Sequence, residues 1–212
     1  MSVYYTTCGN ATLVSKTIKS GSILQAATTT VDKTTLVCPD SKWTKVARSG
    51  YNWCWQIFYK NYTARSDATT FCASQTGNLS GFQSDSERSS VAAKVSEHLN
   101  STNLTWGLIW IGMTRTSKCM STNSGSCGTG AGFQWTDGFT NYPTASTTNW
   151  WISGQPDNLK SVQSVVVMRV YNDSSNVNSG KFDDDTTTIA LTADGPNIIG
   201  LVCGKMATKV NT

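Results

Sequence analysis

The chain has 212 residues, a formal charge of +4 and only 14% charged residues, with its lysines and arginines scattered singly. The absence of a basic cluster argues against nucleic-acid binding, and no apolar run approaches the ~20 residues that span a bilayer. Eight tryptophans and abundant Ser, Thr, Asn and Gly favour a loop-rich, β-containing domain with an appendage over a helical bundle.

The first 36 residues are rich in Ser and Thr and poor in aromatics. Residues 1–36 are therefore predicted to form either a small hairpin or a disordered arm. The composition changes at Cys38, where "CPDSKWTKVARSGYNWCWQIFYKNY" is aromatic and alternating, as the strands of a hairpin are. We place one domain at residues 37–207 and a C-terminal tail at residues 208–212.

Two helices are predicted next. Apolar residues fall at helical spacing in "TARSDATTFCASQ", with Thr63 or Ser66 as the N-terminal cap. The stretch "SDSERSSVAAKVSEHL" is a stronger helix, because Ser84 and Glu87 stand at the positions of a capping box. Its predicted buried face consists of Val91, Val95 and Leu99.

Three apolar runs, "WGLIWIGM", "SVVVMRVY" and "IIGLVCGKM", predict buried strands. Between the first two, the chain from Cys119 to Asn158 is mostly Gly, Ser, Thr, Asn and Trp. A loop of this length inside a compact domain is uncommon unless it is functional and held in place. A Cys119–Cys127 bridge and the tryptophans could hold it.

The seven cysteines form no Cys-x-x-Cys pair, and the single histidine, His98, cannot complete a zinc set. Disulfides, and hence an oxidising compartment, are the better explanation. Sequons of the form Asn-x-Ser/Thr also agree with a secreted glycoprotein, and the N-terminus lacks a signal-peptide stretch, as a mature chain would. The predicted glycosylation sites are Asn10, Asn61, Asn100, Asn103 and Asn172; a further sequon begins at Asn78.

The order of these features resembles the C-type lectin-like domain from about Cys38 to Lys205. "WIGM" stands at the family's WIGL core motif, "FQWTDG" before its long loop, and "QPD" at its sugar-binding tripeptide. "KFDDD" stands where Trp-Asn-Asp is usual, and "LVCGK" at the terminal strand. The resemblance implies an α+β, C-type lectin-like fold, with two helices, antiparallel sheets and a long disulfide-stabilised loop region.

The resemblance also implies the disulfides Cys38–Cys54 and Cys72–Cys203, beside the Cys119–Cys127 bridge. A bridge that closes a loop as long as Cys72–Cys203 contributes about 3–5 kcal/mol. The family's second bridge, inside the binding region, has no counterpart here, so a looser loop is expected unless Cys119–Cys127 compensates. Cys8 is left over, either as a free or capped thiol or as an interchain disulfide that makes a homodimer.

Calcium is the cofactor that the resemblance implies, because the family's cis proline points two flanking side-chain oxygens at one ion. Calcium takes six to eight oxygen ligands. Gln163 stands where the family usually has a glutamate, while three aspartates keep the site acidic. The alternative is a solvated turn at "KFDDD" and a tripeptide that binds no metal. The implied ligands are Gln155, Asp157, Gln163, Asp183 and Asp184.

The Gln-Pro-Asp order resembles that of galactose-type and N-acetylgalactosamine-type binders. A carboxylate only accepts hydrogen bonds, whereas an amide also donates, so the order of the two selects the sugar's hydroxyl geometry. Leu159 stands where many such binders keep an aromatic ring, which weakens the galactose prediction. The implied sugar-binding residues are Gln155, Asp157 and Asp183, with Trp150 and Trp151 as exposed stacking rings.

The expected function is calcium-dependent carbohydrate binding by a secreted lectin, with a weak preference for galactose-type sugars. A role in innate immune recognition or adhesion is what the resemblance implies, and the expected partner is a carbohydrate or glycoprotein. The alternative is a calcium-independent protein-interaction module on the same scaffold. An enzyme is not expected, because His98 has no nucleophile placed beside it and no Gly-x-Ser-x-Gly motif occurs.

Overall fold

The computed structural model describes residues 34–190 and 197–211. Cys8 and Asn10, for which an interchain bridge and a glycan are predicted, lie outside these ranges. Within them, no helix is long and apolar enough to cross a membrane. In chain order the elements are β1 (Thr34–Val37), β2 (Thr44–Arg48), β3 (Tyr51–Phe58), α1 (Arg65–Ser74), β4 (Asn78–Leu79), α2 (Asp85–Ser101), β5 (Trp106–Arg115), β6 (Phe133–Trp135), β7 (Val165–Tyr171), β8 (Lys181–Asp185), β9 (Ile198–Met206) and β10 (Thr208–Asn211).

The main sheet is built around the apolar strand β5. Its strands lie in the order β2-β3-β9-β5-β7-β8, with β4 added to β9 and β6 added to β5. The β5–β9 pair is parallel, and all other pairs are antiparallel. Nearly every residue of β5 is buried, because both faces of the strand are covered, which explains its unbroken apolar sequence. The predicted α+β architecture, two helices with antiparallel sheets, is confirmed.

A second, two-stranded sheet joins the two ends of the domain. β1 pairs with β10 in antiparallel register along the whole length of both strands. Residues 34–36 and 208–211 are therefore strand residues of the domain; the sequence predicts a small hairpin or a disordered arm up to residue 36 and a tail from residue 208. Paired backbone N–H and C=O groups stabilise these short strands, and their mixed side chains give no clear alternation to read.

Both helices form where helical spacing predicts them, but their caps differ from the prediction. The Ser84 hydroxyl accepts a hydrogen bond from the backbone N–H of Glu87 at 3.2 Å, as in a capping box. The Glu87 carboxylate binds Arg48 through two bonds instead of returning to Ser84, so only half of the box forms. α1 begins without any side-chain cap, so the cap predicted at Thr63 or Ser66 is wrong.

Three disulfides stabilise this frame, and they join the cysteine pairs expected from the sequence: Cys38–Cys54, Cys72–Cys203 and Cys119–Cys127. Cys72–Cys203 connects α1 to β9 inside the apolar core. Trp53 and Trp110 are fully buried. The sheet and helices thus form a rigid base for the long loop that follows β5.

Candidate functional site

The long loop leaves the sheet at Arg115, the last residue of β5, and returns at Ser164, just before β7. The backbone N–H of Arg115 donates to the carbonyl of Ser164 at 2.8 Å, so the two ends of the loop are joined. Between them the chain forms short 3-10 turns and the short strand β6. The Cys119–Cys127 disulfide closes a small ring at the start of the loop. The loop therefore rests on the ends of β5 and β7.

The guanidinium of Arg115 lies at the centre of this loop, and its side chain is fully buried. Its Nε donates to the carbonyl of Gln163 at 2.9 Å. Its Nη1 donates to the carbonyl of Cys127 at 2.9 Å and to Oδ1 of Asn123 at 3.3 Å. Its Nη2 donates to the Asp184 carboxylate in a salt bridge. One side chain thus connects four separate segments of the chain.

Asp184 on β8 is the partner carboxylate, and its side chain is also fully buried. Its Oδ1 accepts a hydrogen bond from the backbone N–H of Asp157, and its Oδ2 accepts one from that of Asn158, both at 3.0 Å. Burial raises the pKa of the Asp184 carboxyl, while Arg115 and the two backbone donors act in the opposite direction. Both oxygens of Asp184 are therefore engaged by the protein itself.

The predicted tripeptide forms a turn with a cis peptide bond between Gln155 and Pro156. Oε1 of Gln155 accepts from the backbone N–H of Asp157 at 2.9 Å, and Oδ1 of Asp157 accepts from that of Leu159 at 3.1 Å. Oε1 of Gln163 also accepts from the Leu159 N–H. In each of these three predicted calcium ligands, one side-chain oxygen thus accepts a hydrogen bond from a backbone N–H group of the same loop.

Asp183 lies on the opposite face of the sheet from Asp184, because adjacent residues of a strand point to opposite sides. Its Oδ2 lies 2.7 Å from Nη2 of Arg169. Burial raises the pKa of Asp183 to about 6; Arg169 lowers it, and the neighbouring carboxylates, with Asp185 first among them, raise it. Asp183 and Asp184 therefore do not direct their side chains into a common site.

These contacts test whether a calcium ion fits the predicted ligand set. Calcium requires several oxygens that point at one centre. The Asp184 carboxylate is already neutralised by Arg115, and Asp183 faces Arg169 on the other side of the sheet. In the part of the chain that the structure describes, no three histidine, cysteine, aspartate or glutamate side chains are grouped to hold a metal ion. The residues as arranged do not fit calcium.

The two tryptophans predicted to stack on a sugar, Trp150 and Trp151, are only 4% and 5% exposed. Trp150 stacks on Tyr142 with 4.9 Å between ring centres, and Trp151 packs against Phe133 at 4.8 Å. The prediction of exposed stacking rings is wrong. A polar loop needs apolar surface to dock on the sheet, and the two tryptophans supply it.

The exposed apolar side chains of the loop are Met120, Phe139, Leu159 and Val162, of which the last two are 58% and 56% exposed. The backbone N–H of Val162 donates to the carbonyl of Leu159, and the Asn158 amide donates to the carbonyl of Met120. The backbone at Met120 therefore lies next to the turn that carries Leu159 and Val162, and this turn also carries two exposed charged residues, Asp157 and Lys160. We call the exposed residues Met120, Asp157, Leu159, Lys160 and Val162 the loop surface.

Sequence reasoning missed Arg115, Asn123 and Asn158. The Asn123 amide donates to the carbonyl of Pro156 at 3.0 Å. Asn158 is buried with a left-handed backbone (φ 48°), and its Oδ1 accepts from the backbone N–H of Gln163 at 3.1 Å. Of these three residues, only Arg115 could have been identified from the sequence. It stands two residues after the apolar "WIGM" run, and a cation at the end of a buried strand needs a buried partner.

Comparison with solved structures identifies the same fold in other proteins. A calcium-independent type II antifreeze protein aligns with a TM-score of 0.51 and 17% identity, over 82% of this chain and 98% of that chain. The cow C-type carbohydrate-recognition domain of CD23, in the presence of a GlcNAc2Man3 oligosaccharide, aligns with a TM-score of 0.49 and 19% identity, over 82% and 99%. C-type lectin CEL-I from Cucumaria echinata gives 0.48 and 19%, over 82% and 99%. At 17% identity, the alignment with the antifreeze protein establishes the fold alone.

No curated protein matches the sequence. A family profile described as C-type lectin domain-containing protein 141/158 matches residues 44–206, which is more than half of the chain. The match runs from the first residue of β2 to the last residue of β9 and includes the whole long loop. The resemblance to the C-type lectin-like domain is confirmed, and the chain belongs to the C-type lectin domain-containing protein 141/158 family.

Proposed function

We propose that this domain is a secreted, non-enzymatic recognition module that binds a protein or glycoprotein partner through its loop surface without calcium. The observation that carries the proposal is the buried Arg115–Asp184 pair. Arg115 supplies, from within the chain, the positive charge that a calcium ion would supply to Asp184. The secreted location is supported by the three disulfides, which persist in oxidising compartments.

The charge of Arg115 also opposes a second cation. Two unit charges about 4 Å apart repel by about 4 kcal/mol at an effective dielectric constant of ~20, and a divalent ion doubles that figure. Calcium bound at Asp184 would have to displace the guanidinium from Asp184, Gln163 and Cys127. The arginine is fully buried and cannot move into solvent without opening the loop. This electrostatic cost favours a calcium-independent mode of binding.

The chemistry of the loop surface favours a protein contact over a sugar contact. Galactose-type recognition was expected to use Gln155 and Asp157 with a tryptophan ring. Here both side chains accept bonds from their own turn, and the nearby tryptophans are buried. The loop surface instead presents Leu159 and Val162 beside charged residues, and exposed apolar groups rimmed by polar ones are typical of protein contacts.

Calcium titration of the full chain by calorimetry tests the first part of the proposal. We expect no saturable heat in millimolar calcium, and no shift of the unfolding temperature between calcium and a chelator. Asp184→Asn and Asp173→Asn serve as variants, because Asp173 is exposed and lies beyond the end of β7, opposite to the end where Asp184 pairs. A saturable heat that Asp184→Asn abolishes and Asp173→Asn keeps would overturn the proposal and restore the calcium-dependent lectin.

A binding comparison tests the second part. The fluorescent domain would be applied to arrays of glycans and of extracellular proteins, in calcium and in chelator. We expect binding to proteins that survives the chelator and is lost in Leu159→Ser/Val162→Ser. Val177→Ser is the matched control, since this valine is exposed and lies outside the long loop. Binding confined to galactose-bearing glycans, and only in calcium, would contradict the proposal.

A further inference from the structure

Three of the predicted sequons meet at one end of the domain. Asn100 lies in the last turn of α2, Asn103 in the turn that follows, and Asn172 directly after β7. The side-chain amide of Asn100 donates to the backbone carbonyl of Asn172 at 3.1 Å. The backbone N–H of Asn172 donates to the carbonyl of Thr105, the third residue of the Asn103 sequon, at 2.9 Å. These contacts place the three asparagines on one continuous surface.

This end is remote from the loop surface. The antiparallel strands β5 and β7 connect the two ends, because β5 runs from Trp106 to Arg115 and β7 from Val165 to Tyr171. Asn103 precedes β5 and Asn172 follows β7, whereas the long loop lies between the end of β5 and the start of β7. At about 3.3 Å per residue, the strands separate the two ends by about 20 Å.

The same end exposes apolar side chains that the fold leaves uncovered. Leu104, the middle residue of the Asn103 sequon, is 41% exposed. Val177, in the segment between Asn172 and β8, is 79% exposed. An oligosaccharide on a neighbouring asparagine is bulky and hydrophilic, and it would keep this surface soluble and free of protein contacts.

The three asparagines differ in the availability of their side-chain amides. Asn103 is exposed in a left-handed turn (φ 56°), and neither its amide nor that of Asn172 forms a hydrogen bond with any described residue. The amide of Asn100 is engaged with Asn172. The sequon at Asn78 provides an internal contrast: its amide donates to the carbonyl of Asp137 at 3.2 Å, inside the β4–β9 pairing.

We propose that Asn103 and Asn172 carry N-linked oligosaccharides and that Asn100 and Asn78 do not. In this step the amide nitrogen attacks C1 of a lipid-pyrophosphate-linked oligosaccharide. The C1–N bond forms as the C1–O bond to the pyrophosphate breaks, the amide loses one proton, and the lipid pyrophosphate leaves. The glycans at Asn103 and Asn172 cover the end opposite the loop surface and leave the loop end open to a partner. The proposal requires passage through the secretory pathway and is independent of calcium.

Site mapping of the secreted protein tests this assignment. The full chain would be expressed behind a secretory leader in animal cells, and its glycans removed by an amidase in heavy-oxygen water, which marks each formerly glycosylated asparagine as labelled aspartate. We expect the label at Asn103 and Asn172, and none at Asn100 or Asn78. A disulfide-bonded, secreted product without label at either Asn103 or Asn172, or with label at Asn100 or Asn78, would overturn the proposal.

Sequon variants that keep the asparagines provide the second measurement. Thr105→Ala and Ser174→Ala destroy the sequons of Asn103 and Asn172, and each should remove one glycan's mass from the secreted protein on a gel. Thr102→Ala destroys the Asn100 sequon and should leave the mass unchanged. A loss of mass in Thr102→Ala, or unchanged mass in either of the other two, contradicts the assignment even if one variant is secreted poorly.

Discussion

The sheet is buried on both faces whereas most residues of the long loop are exposed, and different forces hold the two regions. In the sheet, residues such as Trp110, Ile111 and Val166 are completely buried among other apolar side chains. The long loop is built from Gly, Ser, Thr and Asn, and its centre is the ion pair of Arg115 and Asp184. Apolar packing tolerates small changes in shape, whereas a buried ion pair depends on each partner being present. The loop is therefore the region where single substitutions should change the structure most selectively.

A second buried ion pair, Arg48–Glu87, supports this distinction, because it also lies where the polar loop meets the sheet and helices. Arg48 of β2 binds the Glu87 carboxylate of α2 through Nε and Nη2. Its Nη1 donates to the hydroxyl of Thr140, which belongs to the long loop, at 3.1 Å. Both buried arginines thus fasten the loop to regular elements. Neither lies within the apolar interior of the sheet itself.

The disulfides should give the largest contrast between the two regions. Cys72–Cys203 closes a loop of 131 residues and Cys119–Cys127 a loop of 8. The chain-entropy model gives about 5 kcal/mol for the first bridge and about 2.5 kcal/mol for the second. Chemical unfolding of Cys72→Ala/Cys203→Ala and of Cys119→Ala/Cys127→Ala should show losses in that ratio. Equal losses would mean that the small ring stabilises the loop through native contacts and not through chain entropy.

Truncation of the buried carboxylate should have the next largest effect. Asp184→Ala leaves Arg115 buried without a counter-charge and removes the acceptor of two backbone N–H groups. We expect a loss of about 3–5 kcal/mol in the free energy of unfolding. Asp85→Ala is the matched control, because the Asp85 carboxylate that pairs with Arg88 is 65% exposed, and a pair with an exposed partner contributes less than about 1 kcal/mol. Similar losses in the two variants would show that the loop does not depend on the buried pair.

The same division explains what the sequence could predict. Helix α2 and strand β5 are visible in the sequence because apolar spacing is local, and the predicted residues Val91, Val95 and Leu99 are indeed fully buried. The partner of Arg115 stands 69 residues further along the chain, and no local pattern identifies it. The family motifs located the loop but suggested calcium in place of this arginine.

The predicted ligands show the same limit at the level of single side chains. Gln155, Asp157 and Gln163 lie in one loop region, since they are close in sequence. The burial of Trp150 could not be foreseen, because it depends on the position of Tyr142, which no periodicity fixes. Residue type and order therefore predict which groups gather, whereas the direction of each side chain requires the folded structure.

The pH dependence of stability offers a smaller test, at the buried carboxyl of Asp183 on β8. Burial raises the pKa of Asp183 from 3.8 to about 6, so the folded protein holds this proton more tightly than the unfolded chain. The contribution of this carboxyl to the free energy of unfolding is fully present below pH 3.8 and is lost as the pH rises from 3.8 to about 6. In Asp183→Asn this part of the pH profile should disappear, as measured by chemical unfolding across the range.

Asp173 provides the control for that profile, because its pKa shifts the other way. Hydrogen bonds from the Ser175 side chain and backbone lower the pKa of Asp173. Its contribution is therefore present above the ordinary pKa and is lost as the pH falls through the lowered value. Asp173→Asn should therefore change the slope of unfolding free energy against pH in the direction opposite to the change in Asp183→Asn. An unchanged slope in Asp183→Asn would mean that Arg169 compensates fully for the burial of the carboxylate.

The smallest expected effect on stability concerns the loop surface. Leu159 and Val162 are more than half exposed, so Leu159→Ser and Val162→Ser should each change the free energy of unfolding by less than about 0.5 kcal/mol. Ile111→Ala, a truncation in the fully buried strand β5, should cost about 2–5 kcal/mol under the same conditions. A loss above about 1 kcal/mol in either serine variant would show that the side chain packs within the loop. It would then be unavailable to a partner, and the loop surface would lose the apolar contacts on which the proposed recognition depends.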